Sequence, residues 1–252
     1  MKSKRFWILS GVGLAMAFAV ASVATATVHP PDIDPANFVY PISNPNPFFP
    51  LIPGTTFFYE GEENGVPTNN VTEVVCNPNP PKVILGVTTT VVHDQVFDEN
   101  GKLVEDTFDW YAQDVAGNVW YFGEDTKELD PSTGAVISTE GSWEGGVADA
   151  DPGIIMEADS QVGDRYYQEF APRVAVDQAK VISLDGSACV PYQTPDFCSD
   201  KLLVTKETSQ LDPGVVENKY YAEGIGFILA EIVKGGDERS ELVNVTTGNC
   251  TP

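Results

Sequence analysis

Two histidines in 252 residues set the first limit on what this chain can catalyse. His29 falls in a proline-rich stretch and His93 sits between Val92 and Asp94 in a strand-like run. No Gly-x-Ser-x-Gly elbow accompanies them, so a Ser-His-Asp scheme has neither a placed base nor a placed nucleophile. The side chains left with chemical capacity are carboxylates beside aromatic rings. Trp110, Tyr111, Trp120, Tyr121 and Glu124 form the densest such group, flanked by Asp109, Asp114, Asp125 and Glu128. Rings beside an acid can stack on a sugar while the acid protonates a leaving oxygen, the chemistry of a glycosidase-like, carboxylate-dependent hydrolase. The same five residues can instead line a binding site, or stand as core rings with solvated acids at the strand edges.

Metal chemistry has little to work with. Asp98-Glu99-Asn100-Gly101 and Asp149-Ala150-Asp151-Pro152-Gly153 are oxygen-rich turns, and calcium is the hard cation they could take. The spacing of a calcium-binding helix-loop-helix fails in both, at Lys102 and at Pro152, and turn-forming Asp and Asn account for them without a metal. No other cofactor is indicated. Cys76, Cys189, Cys198 and Cys250 contain no Cys-x-x-Cys pair and have no histidine nearby, so disulfides are expected rather than a zinc site. Of the three connectivities, the short loop CVPYQTPDFC favours Cys189–Cys198, which leaves Cys76–Cys250.

Charge and targeting bound the setting. Asp and Glu number 37 against 14 Lys and Arg, a net charge of −23, which leaves no electrostatic footprint for nucleic acid or an anionic membrane surface. Residues 1–26 read as a signal peptide: Lys2, Lys4 and Arg5, then the apolar run Phe6–Val23, then Ala24-Thr25-Ala26 as a cleavage site. Cleavage removes those three cations and no acid, taking the charge from −23 to −26. No membrane span is expected after cleavage. The expected location is periplasmic or extracellular, where the disulfides can form.

The elements that must position these residues are strands. Residues 27–54 are dense in proline and read as an N-terminal arm leading into a single β domain over 55–252. Strand patterns follow at 55–62, 70–76, 82–97, 103–114, 118–124, 135–140, 164–170, 179–184, 201–208, 215–222, 225–234 and 239–245, separated by Gly, Asn and Asp turns. A short helix within 164–180 is the one departure considered, cut by Pro172. In 119–122 and 225–233 both faces of the strand are apolar, so both must be covered. The segment 141–163, poor in strand pattern, is the expected irregular cover. The fold expected is all-β: one antiparallel, strongly curved meander, a half-barrel or barrel-like sandwich.

Three segments carry a resemblance: FFPLIPGTTFFYEGE (48–62), DTFDWYAQDVAGNVWYFGEDTKE (106–128) and KYYAEGIGFILAEIVKGGDERSELVNV (219–245). They resemble the opening, middle and closing strands of an uncharacterised family of exported bacterial β-sheet proteins. The resemblance implies a curved antiparallel meander similar to the half-barrels of lipoprotein carriers, and implies no reaction. The expected function is therefore binding by an exported acidic β protein, with a hydrophobic small molecule or lipid on the concave sheet face. The carboxylate-dependent hydrolase and a structural surface protein without a ligand are the alternatives.

Overall fold

Alternation of inward and outward side chains builds most of the described residues into strands. The computed structural model describes residue 30, residues 32–63 and residues 65–250, so the signal-peptide reading lies outside the described residues. A 3-10 turn at Pro35–Asn37 is capped by the Asp34 carboxylate and leads into β1 (Phe38–Val39). Then come β2 (Thr55–Glu63), β3 (Val66–Val74), β4 (Val83–Ile84), β5 (Val87–Thr88), β6 (Thr90–Phe97), β7 (Leu103–Asp114) and β8 (Val119–Leu129). Shorter strands follow: β9 (Val136–Ser138), β10 (Trp143–Glu144), β11 (Asp151–Met156), β12 (Arg165–Tyr167) and β13 (Glu169–Phe170). The chain ends in β14 (Asp177–Val190), β15 (Phe197–Ser209), β16 (Val216–Ala222), β17 (Gly226–Lys234) and β18 (Arg239–Thr247).

Every pairing is antiparallel, and the main path runs β12-β14-β15-β16-β17-β18-β2-β3-β6-β7-β8-β11-β13. Its two ends, β12 and β13, are consecutive pieces of one segment. Tyr166 pairs with Ala179 of β14, and Glu169 pairs with Pro152 of β11, so 165–170 bridges the seam and the sheet is nearly closed into a barrel-like shape. Closing the sheet in this way leaves few free edges. The all-β, strongly curved architecture is the one the strand spacing predicts.

Several local readings differ. The run 82–97 is not one strand: Leu85 and Gly86, both at positive φ (49° and 81°), turn the chain into the β4–β5 hairpin before β6 begins. No helix forms in 164–180, where β12, β13 and an Ala171–Ala175 bridge lie. The segment 141–163 is not an irregular cover but contributes β10 and β11, both paired with β8. Its glycines hid the pattern. A Cβ on Gly153 would stand 2.4 Å from the Gln168 carbonyl oxygen, so this strand needs a bare backbone where it meets the seam.

Both faces of β7 and β8 are covered, as their composition requires. Val119, Tyr111 and Tyr121 point into the barrel and join the main core with Leu202, Leu203, Ile228 and Leu242. Trp120, Phe122 and Ala112 point outward into a second cluster with Ile84 and Val87, against Ile33, Phe38 and Trp110. The outer cover is thus the proline-rich arm and the β4–β5 hairpin. Phe38 sets its ring edge-on to Trp120 and Phe122, with centroids 6.0 and 5.4 Å apart. Two disulfides, Cys76–Cys250 and Cys189–Cys198, have the favoured connectivity. The first ties the end of β3 to the C-terminal segment; the second closes the β14–β15 hairpin.

Candidate functional site

The barrel has a cavity at one mouth, and strand register explains its lining. Phe57 on β2 pairs with Thr72 on β3, Thr72 with Asp94 on β6, and Asp94 with Thr107 on β7. One row of inward side chains therefore crosses four strands. The adjacent row runs Val74, Val92, Asp109 and Glu124 from β3 to β8. Tyr59, Tyr111, Lys219 and Tyr221 also point inward. Together with the arm and the β16–β17 turn they enclose a cavity of about 70 Å³. Its lining is largely apolar and aromatic, from Phe49, Leu51, Phe57, Tyr59, Tyr221, Ile225 and Phe227; Asp94 and Lys219 are its charged groups.

The arm is placed by a polar clamp. Asn46, 2 % exposed, donates its backbone N–H to Gln113 Oε1 (2.8 Å) and its side-chain Nδ2 to the carbonyls of Gly117 and Glu157. Gln113 Nε2 donates back to the Asn44 carbonyl at 2.8 Å. This clamp holds Phe49 over Tyr111, ring centroids 5.2 Å apart, and brings Leu51 into the core. Gly226, at φ +101°, lets the β16–β17 turn approach Pro50. The proline-rich arm thus forms part of the cavity wall.

Beyond the cavity the barrel interior is acidic. Asp109 and Glu124, paired across β7 and β8, are 0 % and 1 % exposed, and Glu169 is 2 % exposed. Burial, reinforced by neighbouring carboxylates, holds all three well above the usual carboxylate range. Tyr121 donates its hydroxyl to Asp109 Oδ1 at 2.5 Å. Asp94, whose Oδ1 accepts from Asn70 Nδ2 at 2.7 Å, is pushed up to about 6 by burial. Lys219 is the buried cation of this region; Glu207 at 2.8 Å and Glu217 at 3.4 Å face it. Burial lifts Glu217 to about 7, and Lys219 is raised because its two carboxylates outweigh desolvation.

The five sequence-selected residues do not form one site. Tyr111 lines the cavity, while Tyr121 and Glu124 share its inward face without touching the cavity. Trp110 and Trp120 lie on the outer face: Lys82 Nζ sits 3.8 Å from the Trp110 ring centroid, and Trp120 Nε1 donates to Asp114 Oδ2 at 2.9 Å. The phase change comes from a bulge at Gly123 between the Asp109–Glu124 and Tyr111–Tyr121 pairs. Strict alternation would have put Glu124 outside with Trp120. Asp94, Phe57, Tyr59, Lys219 and Phe227 were missed. For four of them the signal was present: Phe57/Tyr59, Val92/Asp94 and Lys219/Tyr221 are period-2 pairs, and in the last two a charged residue shares a face with an apolar or aromatic one.

Elsewhere the candidates have structural partners. His93 stacks on Phe108 on the outer face, its Nε2 2.7 Å from Asp106 Oδ1. Asp98 Oδ1 accepts from the backbone N–H groups of Asn100 and Lys102, both at 2.9 Å, so its oxygen closes its own turn. Among the described residues no three His, Cys, Asp or Glu side chains are placed to share a metal ion. Nor is any described helix long and apolar enough to cross a membrane.

No protein-family model and no curated protein matches the chain. Two solved structures are similar to it in shape. One, from Bacteroides fragilis, is described as an exported protein with a YmcC-like fold; it is 13 % identical, with TM-score 0.45, and the match covers 79 % of this chain and 99 % of that one. The other, described as a lipoprotein from Parabacteroides distasonis, is 10 % identical, with TM-score 0.41 and coverage of 81 % and 100 %.

Proposed function

We propose that this is an exported, acidic β protein that acts by binding an apolar small molecule, or the apolar end of a lipid, in the cavity at the barrel mouth. One observation carries the reading: the barrel core is not filled at that end. Side chains of the Phe57–Tyr59 and Phe227 group frame about 70 Å³ of open space where an ordinary core would pack solid. That volume suits an aromatic ring or the tip of an acyl chain rather than a whole lipid. The signal-peptide pattern of residues 1–26 and the two disulfides support export.

The carboxylate-dependent hydrolase is less well supported. Asp109 and Glu124, its best pair, are buried away from any surface a sugar could reach, and burial raises both well above the usual carboxylate range. A general acid and base need contrasting protonation and access to water.

Titration of fluorobenzene, a single uncharged apolar ring, followed by its 19F NMR signal, tests the binding reading. Saturable binding by the wild type, lost on filling the cavity with Val74→Phe, is the expected result. An absence of saturable binding by the folded wild type, or unchanged binding by a folded Val74→Phe, overturns it.

A further inference from the structure

Resting on that binding reading, we propose that the cavity selects an amphipathic organic cation: a small apolar body carrying a protonated amine that is received by Asp94. The argument begins with charge. Asp94 lines the cavity at 7 % exposure, and the side chains that hydrogen-bond to it, the Asn70 amide (2.7 Å) and the Thr72 hydroxyl (3.4 Å), are uncharged. The other charged group of the lining, Lys219, is already engaged by Glu207 and Glu217. Asp94 is therefore the lining carboxylate that no lysine or arginine already answers, and it sets the charge this end of the cavity presents.

An anionic occupant, such as a fatty-acid carboxylate, would have to compete with Glu207 and Glu217 for Lys219 while lying near Asp94. A neutral occupant would gain only the apolar contact. An ammonium gains the apolar contact, a charge-assisted hydrogen bond to Asp94, and ring faces suited to a cation. Tyr59 lies between Phe57 and Phe227, with centroids 6.5 and 5.2 Å away, and Tyr221 stands 5.9 Å from Phe227. The cavity is small enough that body and charge must be close together, which favours a benzylamine-sized molecule over a long-chain amine.

The test compares three probes of one shape on the wild-type protein at neutral pH: benzylamine, benzyl alcohol and benzoate, each followed by displacement of fluorobenzene in 19F NMR. A charge-assisted hydrogen bond predicts that the amine binds about 10- to 100-fold more tightly than the alcohol, with benzoate weakest. Asp94→Asn, which retains the acceptor oxygen for Asn70, is expected to bring the amine and the alcohol within about threefold of each other. Equal binding of amine and alcohol by the wild type, or an amine preference that survives in folded Asp94→Asn, overturns the cation assignment and leaves the apolar cavity standing. Failure of fluorobenzene itself to bind overturns both.

Discussion

Replacing Asp94 by Asn exposes how much stability the barrel loses by keeping an acid in its interior. Burial raises the Asp94 carboxyl from 3.8 to about 6, with the Asn70 and Thr72 hydrogen bonds and the nearby His93 offsetting part of the rise. A group whose native pKa lies above its unfolded value binds an extra proton in the folded state, so stability falls as pH rises. The contribution of Asp94 is complete below about pH 4 and is lost as pH climbs through about 6. At about 1.4 kcal/mol per pH unit across that window, the loss comes to about 3 kcal/mol. Asn has the shape of the protonated acid and never ionises, so its stability lacks this slope. Urea unfolding followed by Trp fluorescence, with disulfides intact, is expected to show Asp94→Asn gaining on the wild type by up to about 3 kcal/mol between about pH 4 and pH 8. Asp109, Glu124 and Glu169 tilt the wild type in the same direction, but both proteins share them, and only their coupling to Asp94 survives in the difference. A difference that stays flat across the range refutes the reasoning, because Asp94 would then titrate alike in the folded and unfolded chains.

Three further outcomes follow from the geometry. Loss of the Cys76–Cys250 bridge (Cys76→Ala with Cys250→Ala), which spans 174 residues, is expected to cost about 5 kcal/mol, against about 2.5 kcal/mol for the 9-residue Cys189–Cys198 loop, as compared by urea midpoints. Gly153→Ala places a methyl 2.4 Å from the Gln168 carbonyl oxygen and should cost about 1–3 kcal/mol, with faster amide exchange over 165–170 as the seam loosens. Lys219→Met leaves Glu207 and Glu217 facing each other without their cation and is expected to cost about 3–5 kcal/mol at neutral pH, partly recovered in mild acid.

Much of the fold was legible because period-2 alternation is a local signal. The two-faced apolar pattern of 119–122 demanded a cover on each side, and the structure supplies both. The identity of the outer cover was not legible. Nothing local in the proline-rich arm says that Phe38 meets Trp120, since that contact joins residues 82 positions apart. The Leu85–Gly86 hairpin escaped because a leucine at positive φ is rare, and 82–97 otherwise reads as one long strand. The site was legible only in its ingredients. Tyr111, Tyr121 and Glu124 are together on the inward face, but a bulge at Gly123 decides that, and a single glycine in a strand does not announce on which side its neighbours emerge.

The acidity of the chain divides into two parts with different physical meanings. Acids in turns and on the outer faces, such as Asp98, Asp130 and Glu241, charge the surface of the sheet and oppose edge-to-edge association. Asp94, Asp109, Glu124 and Glu169 can do neither, because they are inside. A barrel filled only for stability would carry aliphatic side chains at those positions, since an uncompensated buried carboxyl costs free energy whether it ionises or takes up a proton. Lys219 already answers Glu207 and Glu217, so it does not explain the remaining acids. Two species can neutralise Asp94 from the cavity side: a proton, or a cation that arrives with its own apolar body. They compete for the same oxygens. Ligand affinity and stability toward pH are therefore one linked property of this site, and the interior acids, which the fold alone does not require, are where that linkage resides.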